Sequence, residues 1–352
     1  MIFNPKSPTL NKQRSGAYNN GVKVGVIGLG FMGAAHVAAL SAYPDAELAA
    51  VVSRDPKTRE GDFSAIGGNL KLEKRQFDFS NVSKYSAWQE IVADQNVEAI
   101  SICLPTNFHS EVTIAALNAG KHVICEKPMA LTLQECDAMI AAGERAKKVL
   151  MIGQVLRFWP EYQAMHKFAL GGEYGTVRQA MFQRKAGLPD WSKWLPDETQ
   201  SGGAVMDLLV HDIDQILLLF GMPERVTAKS LGDVDALMAS FIYPGGPEVR
   251  LQGGWFTPGV PFNMSFQVRA DKGEMELTPD GLQLSDTTGT RSRVDVPEGN
   301  AYEAQMHYFL DCCRTGVEPA LCRPIDSANA VKVALALKES RSKDGEQVKC
   351  RA

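Results

Sequence analysis

The chain has no Cys-x-x-Cys pair, and its seven cysteines, at positions 103, 125, 136, 312, 313, 322 and 350, follow no regular spacing. They read as reduced thiols rather than as a disulfide framework or a zinc-ligand set, so no metal is expected. Basic charge is not in excess either. With 37 Lys and Arg against 41 Asp and Glu the formal net charge is -4, which leaves nothing to neutralise a phosphate backbone or an anionic bilayer. Nucleic acid and membranes are therefore not expected partners. No apolar run reaches the length of a membrane span, and residues 1–20 are polar, with Pro5 and Pro8 and without the apolar core of a signal peptide. Residues 1–21 read as a loose tail on a cytoplasmic protein.

What the sequence does hold is apolar residues enough for more than one core: 45% of 352 residues are hydrophobic and 22% charged, so two domains are expected. From Val22 onward short apolar strands alternate with amphipathic helices. Strands are predicted over residues 23–27, 47–52, 99–104 and 122–125, and helices over about 32–41 and 110–118, the latter stopped at Gly120. Such alternation produces parallel strands covered by helices, and a Gly suits the left-handed residue that ends many helices. After about Gly153 the pattern changes to alternating polar and apolar residues, as in 248–252 and 265–269. Turns such as Tyr243-Pro244-Gly245-Gly246-Pro247 punctuate it, pointing to an antiparallel sheet with hairpin connections. The fold class is α/β, with a parallel-sheet domain over 22–152 and a second α/β domain over 153–352, whose C-terminal helices are allowed to pack back on the first. Strands between about residues 225 and 284 are expected to leave one sheet face for a partner to cover.

Gly28-Leu29-Gly30-Phe31-Met32-Gly33 follows an apolar strand and opens an apolar helix, the context in which G-x-G-x-x-G becomes informative. Gly28 permits the tight turn, Gly30 lets the backbone approach a pyrophosphate, Gly33 lets helix and strand pack closely, and the helix N-terminus faces the anion. About twenty residues on, where a carboxylate would accept the ribose hydroxyls of NAD, stand Ser53 and Arg54. A 2'-phosphate there would meet Arg54, with Lys57 and Arg59 nearby, which favours NADP over NAD.

Cys125-Glu126-Lys127-Pro128 lies at the C-terminal end of a predicted parallel strand, where ligands bind in open α/β sheets. A second cluster runs from Ser201-Gly202-Gly203 through Asp207, His211, Asp212 and Asp214 into an apolar helix. Asp207, His211 and Asp214 are spaced four and three apart, so all three are expected to share one helical face. An imidazole can take and return an alcohol proton near neutral pH. His211 is thus the candidate proton acceptor, Lys127 the group polarising the substrate oxygen, and Asp207 the carboxylate orienting the ring. Arg157, Arg184, Trp194 and Trp255, with Phe158 and Trp159, are candidates for contacts to a hydroxyl-rich ligand.

On these motifs the sequence resembles the Gfo/Idh/MocA family, the glucose-fructose oxidoreductase and inositol dehydrogenase group. The likeness spans about residues 22–348 and rests on the glycine loop, Pro105-Thr106-Asn107-Phe108-His109, Glu126-Lys127-Pro128, and Gly202-Gly203 followed by Asp207-x-x-x-His211-Asp212-Ile213-Asp214. The resemblance implies an N-terminal Rossmann domain and a C-terminal α/β domain with a large, mostly antiparallel sheet, binding substrate and forming homodimers or homotetramers. It implies NAD or NADP as cofactor and a sugar, inositol or related polyol as substrate. Lys127 would contact the reacting hydroxyl, Asp207 and His211 would handle its proton, and Pro105, Thr106, His109 and Glu126 would line the cofactor side beside Phe31 and Met32. The twin-arginine leader of secreted members is missing, in keeping with the cytoplasm. The stretch 61–80 looks longer than usual and is expected to reshape the adenosine end. Rival readings are an NADPH-dependent reductase of a keto nucleotide sugar, a dihydrodiol dehydrogenase, and a dinucleotide-sensing regulator without chemistry. The joint presence of Lys127, Asp207 and His211 argues against the regulator.

Overall fold

Short runs of valine, isoleucine and alanine set the first sheet of the computed structural model, which describes residues 21–68, 75–232 and 234–351. Its strands are β1 Val22–Ile27, β2 Ala46–Val52, β3 Ser83–Tyr85, β4 Ala99–Ile102, β5 His122–Cys125 and β6 Leu150–Ile152. They pair in parallel in the order β3-β2-β1-β4-β5-β6. Every residue of β4, β5 and β6 is buried, as expected of parallel strands covered on both faces. The chain reverses its direction of travel across the sheet between β1 and β4. That switch point is where an open α/β sheet leaves a crevice beyond its strand ends. The helix Phe31–Ser41 leaves β1, and the helix His109–Asn118 ends ahead of Gly120, whose φ is +79°.

This sheet belongs to a compact unit that takes the described residues up to Val155 and then Asn300–Ala328. The chain thus supplies a late segment, Asn300–Ala328, to its first unit. Its helix Ala301–Thr315 packs on the helix Phe31–Ser41. The Tyr43 hydroxyl donates to Asp311 at 2.9 Å, and Arg314 reaches both Asp45 and Asp311. The expected tail falls, apart from Gly21, outside the described residues.

The other unit comprises Leu156–Gly299 and the chain from Asn329 on. Its strands are β7 Val177–Gly187, β8 Arg225–Ser230, β9 Asp235–Ile242, β10 Glu248–Phe256, β11 Asn263–Ala270, β12 Gly273–Thr278, β13 Gly281–Asp286, β14 Arg291–Arg293 and β15 Val348–Lys349. They form one sheet in the order β14-β13-β12-β11-β7-β10-β9-β8-β15. Hairpin neighbours are antiparallel, but β7 and β10 pair in parallel. The long excursion between them, two strands and the helix Val210–Phe220, is what a parallel neighbour requires. Along β7 the residues alternate: Ala180, Phe182, Arg184 and Ala186 are buried, while Gln179, Met181, Gln183 and Lys185 stay half-buried on the other face. On the covered face Phe266 packs edge-on to Tyr162 and beside Phe182.

Candidate active site

The three glycines of the first loop meet different surroundings. A Cβ on Gly28, whose φ is +90°, would sit 2.4 Å from the Cys103 carbonyl oxygen, and one on Gly33 would sit 2.0 Å from the Gly28 carbonyl oxygen. The fold itself excludes side chains at both. Around a Cβ on Gly30 none of the described residues lies within 4 Å, so their packing does not demand glycine there, and the space is what a close-lying phosphate needs. Gly30 is also the N-cap of the helix Phe31–Ser41; as a glycine it offers no capping side chain, and the first turn of the helix carries no acid. Its amides and positive dipole end are left for an anion.

Across the switch point from this loop, the chain leaving β4 carries Pro105 and Thr106. Thr106 Oγ1 is buried and has no hydrogen-bond partner among the described residues, and such an orphaned hydroxyl is costly unless a ligand satisfies it. Together with the room at Gly30, it makes this end of the sheet fit a dinucleotide. His109 sits differently from the expected cofactor lining. Its ring is 1% exposed, with Nδ1 2.8 Å from the Pro128 carbonyl and Nε2 2.9 Å from the Leu104 carbonyl. It braces the chain after β4 against the chain after β5, and burial pushes its pKa below the usual value against the pull of the two carbonyls.

Glu126 is also buried, and its partner is a residue the sequence reading passed over. His36, on the helix after the glycine loop, has Nε2 3.0 Å from Glu126 Oε1 and Nδ1 2.7 Å from Ser101 Oγ. Its place three residues after Gly33 was the only signal, and a lone histidine on an apolar helix reads as core. Between 121 and 130 every residue is buried except Lys127, which remains part-exposed.

At the end of β2, the Ser53 hydroxyl is engaged by Thr58 Oγ1 at 2.7 Å and by the Asp55 amide at 3.1 Å. Asp55 caps the short helix Pro56–Arg59, and Arg59 donates to the Ser53 carbonyl. Arg54 is exposed. From the segment 61–80, Gly68 lies against the Phe31 ring, 2.2 Å from where its Cβ would be. The segment has a small core of its own in Phe63, Phe77 and Phe79. Asn69 and residues 71–74 of this segment lie outside the described residues.

In the second unit, Asp207 and His211 do not share one continuous helix. Asp207 ends the helix Ala204–Asp207, and Val210 starts the next. At the break the Leu209 amide reaches back to the Ala204 carbonyl at 2.9 Å. The start of the first helix is pinned by Asp235, which accepts from the Ala204 amide and pairs with Arg341, while Lys338 Nζ donates to the Gly202 carbonyl at 2.8 Å. Gly203, at φ +79°, leaves room for that carboxylate, which lies 2.7 Å from its absent Cβ. From 201 to 216 only Asp207 and His211 are not buried.

The intervening acids are spent inside. Asp212 holds Arg184 in a two-pronged ion pair, 2.6 Å to Nε and 3.1 Å to Nη2, and Asp214 holds Arg157 at 2.8 and 2.6 Å. Asp214 therefore does not join the face of Asp207 and His211. Arg184 also donates to the Tyr162 hydroxyl at 3.2 Å; burial opposes its charge, but the Asp212 carboxylate outweighs that and holds its pKa above the usual range. Both arginines, expected to fork onto substrate hydroxyls, are frame members that hold the helix Val210–Phe220. Trp255 is core, packed with Ala186, Leu195, Ala204 and Leu208, and Trp194 lies half-buried against that cluster.

Residues 22–154 match the model of an oxidoreductase family with an NAD-binding Rossmann fold, and residues 162–276 match the GFO/IDH/MocA C-terminal domain. Among curated relatives, a myo-inositol 2-dehydrogenase of Thermotoga maritima is 30% identical over 200 residues, 57% of this chain. That match spans little more than half of the relative, 55% of its length. A D-xylose 1-dehydrogenase (NADP(+)) of Haloferax volcanii is 26% identical over 88% of this chain and 96% of its own. Among solved structures, a levoglucosan dehydrogenase in complex with NADH and L-sorbose superposes with a TM-score of 0.80 over 94% of this chain and 99% of its own, at 21% identity. That likeness is one of fold.

Proposed function

Because the chain belongs to the Gfo/Idh/MocA family of oxidoreductases with an NAD-binding Rossmann fold, we propose that it transfers a hydride between a nicotinamide and a hydroxyl-bearing carbon of a sugar, an inositol or a related polyol. One observation carries the reading to particular residues: in two otherwise buried stretches, 121–130 and 201–216, the side chains left part-exposed are Lys127, Asp207 and His211. They are the three whose chemistry an alcohol oxidation needs.

When bound, the nicotinamide supplies the hydride acceptor or donor. The protein's share is the proton and the charge. His211 takes the proton of the substrate hydroxyl as the carbonyl forms and returns it in the reverse direction. Lys127 acts on the same hydroxyl, its ammonium stabilising negative charge that develops on the oxygen. Asp207 orients the imidazole. Gly28, Gly30, Phe31, Met32 and Gly33 hold the pyrophosphate end, with Pro105 and Thr106 beside them, while His109 and Glu126 act by bracing that end from within.

Preference for NADP rests on exposed Arg54 and on Ser53, whose place offers no carboxylate to a ribose diol. The substrate class rests on what the relatives are named for. A homodimer or homotetramer is supported by the half-buried outer face of the second sheet, where Gln179, Met181 and Gln183 of β7 stand beside Ser265 and Gln267 of β11. A cytoplasmic setting is in keeping with seven free cysteines, six of them buried. The test is a panel of inositols, aldoses, sugar acids and keto nucleotide sugars, each assayed by nicotinamide absorbance with NAD and NADP separately. Turnover of a cyclic polyol or pyranose supports the proposal. Tight dinucleotide binding with no turnover of any of them would favour the regulator.

A further inference from the structure

The cluster around His36 contains a thiol that the proposed chemistry does not use. Ser101 and Cys103 are two apart along and just beyond β4, so both side chains project to one side of the sheet, where the helix Phe31–Ser41 lays His36 against them. Cys103 Sγ lies 3.6 Å from His36 Nδ1 and 3.6 Å from Ser101 Oγ. On the far side of the ring, Glu126 Oε1 stands 3.0 Å from Nε2. With an ionised carboxylate there, Nε2 carries a proton and donates it, which turns Nδ1 toward the serine and the sulfur. A nucleophile, a base and an acid that orients the base are thus in line, the arrangement that activates a thiol. Burial alone would lower the His36 pKa, but Cys103 and Glu126 on its two sides outweigh it and raise the pKa to about 10.

Two further facts single out this cysteine. The other six are buried, while Cys103 is part-exposed. Its carbonyl oxygen is the atom 2.4 Å from where a Cβ on Gly28 would sit, so the thiol belongs to the residue that abuts the first glycine of the dinucleotide loop.

We propose that Cys103 is a modification site: His36, held by Glu126 as an imidazolium, keeps the proton beside the sulfur, and the Cys103 thiolate exchanges with a low-molecular-weight disulfide, closing the glycine loop to dinucleotide. In that step the Cys103 sulfur attacks one sulfur of the reagent. A new S–S bond forms to the protein, the reagent's own S–S bond breaks, and its second half leaves as a thiolate that is protonated from His36 or solvent. Cys103 is oxidised, the leaving sulfur is reduced, and a thiol reverses the exchange. The reactivity stands on the cluster alone, whereas its effect on dinucleotide rests on the function proposed above.

The probe is glutathione disulfide, applied to the full chain at neutral pH. Peptide masses locate the mixed disulfide, and its rate is compared between native protein and protein unfolded in urea. We expect one adduct, on Cys103, formed at least about tenfold faster in the native state, and a rate in His36→Asn that falls to the unfolded value. An adduct on another cysteine, or a native rate no higher than the unfolded one, overturns the proposal whether or not the variant folds. Binding of NADPH and NADH is titrated before modification, after it, and after dithiothreitol. Loss on modification and return on reduction are expected, with Cys103→Ser giving equal affinities before and after the reagent. Absence of binding before modification would count against the dinucleotide reading and leave the reactivity result standing. Full binding by protein modified on Cys103 would overturn the control.

Discussion

Each unit carries a buried polar network behind its candidate functional residues, and the two are built from different chemistry. In the first, an imidazole lies between a carboxylate, a serine and a thiol: His36 with Glu126, Ser101 and Cys103. In the second, guanidinium groups are locked to carboxylates: Arg184 with Asp212 and Arg157 with Asp214. An imidazole can give up its proton, here as pH rises toward about 10 where Cys103 and Glu126 hold the His36 pKa, whereas arginine stays charged throughout. The first network can therefore respond to pH and to thiol reagents, while the second serves as a fixed frame behind Asp207 and His211. The candidate recognition surfaces differ in the same way. The first unit presents backbone amides around Gly30, and the second presents side chains at the surface of an otherwise buried stretch.

The strongest test of this contrast lies in the presented side chains. His211→Ala is expected to lower kcat by about 10²–10⁴-fold, with dinucleotide affinity near that of the parent, because a lost proton acceptor acts on turnover while the glycine loop is untouched. Steady-state kinetics on the true substrate, paired with a binding titration, checks it. A near-normal kcat would return His211 to a structural role.

Breaking the frame is next in size. Arg184→Met leaves Asp212 charged and unpaired in the interior, and a loss of about 3–5 kcal/mol is expected from urea denaturation, most of it recovered in Arg184→Met/Asp212→Leu. If the single change costs no more than a surface substitution, about 0.5 kcal/mol, the pair is not the frame described.

The glycines of the first unit sharpen the comparison further. Gly30→Val should fold normally, since none of the described residues stands within 4 Å of its Cβ, yet weaken dinucleotide binding by about a hundredfold, roughly 2.7 kcal/mol. Gly33→Ala should instead destabilise the fold, because its Cβ meets the Gly28 carbonyl oxygen at 2.0 Å. Melting curves and nucleotide titrations separate the two, and unchanged affinity in folded Gly30→Val would remove the loop from the binding site.

A smaller effect is expected at Arg54. Arg54→Ala should weaken NADP by about fivefold to tenfold, roughly 1–1.4 kcal/mol, and leave NAD unchanged. Equal affinity for both nucleotides before and after the change would end the case for NADP.

The mildest test uses pH. The folded pKa of His36 is raised to about 10 from 6.5, so the stability it contributes is fully present below about pH 6.5 and is lost as pH rises through about 10. Denaturation midpoints should fall along that limb in the parent protein and flatten in His36→Asn. Arg184 adds no slope there, and equal slopes in parent and variant would contradict the contrast between the two networks.

Local patterns carried much of this molecule into view. Four of the six strands of the first sheet followed from short apolar runs, while the short β3 and β6 were not read, and the glycine loop followed from three residues in a strand-to-helix context. Lys127, Asp207 and His211 stood out because short motifs surround them, and each remains at the surface of a buried stretch. The buried ion pairs were not legible. Arg184 and Asp212 are 28 residues apart and Arg157 and Asp214 are 57 apart, and nothing in either neighbourhood names the partner. For the same reason the two arginines looked like ligands, since a sequence shows that a guanidinium is present but not what already holds it.

The sequence by itself determined the strand and helix periods, the loop that must be glycine, and the family of chemistry the chain belongs to, because these depend on residues near one another along the chain. Only the tertiary structure decided that Gly30 is open while Gly28 and Gly33 are enclosed, that Arg157 and Arg184 are spent on Asp214 and Asp212, that His109 is a brace, and that His36 joins Glu126 to Cys103. Each of these depends on which distant groups burial brings within hydrogen-bonding reach, and a buried polar group takes whatever partner the packing supplies.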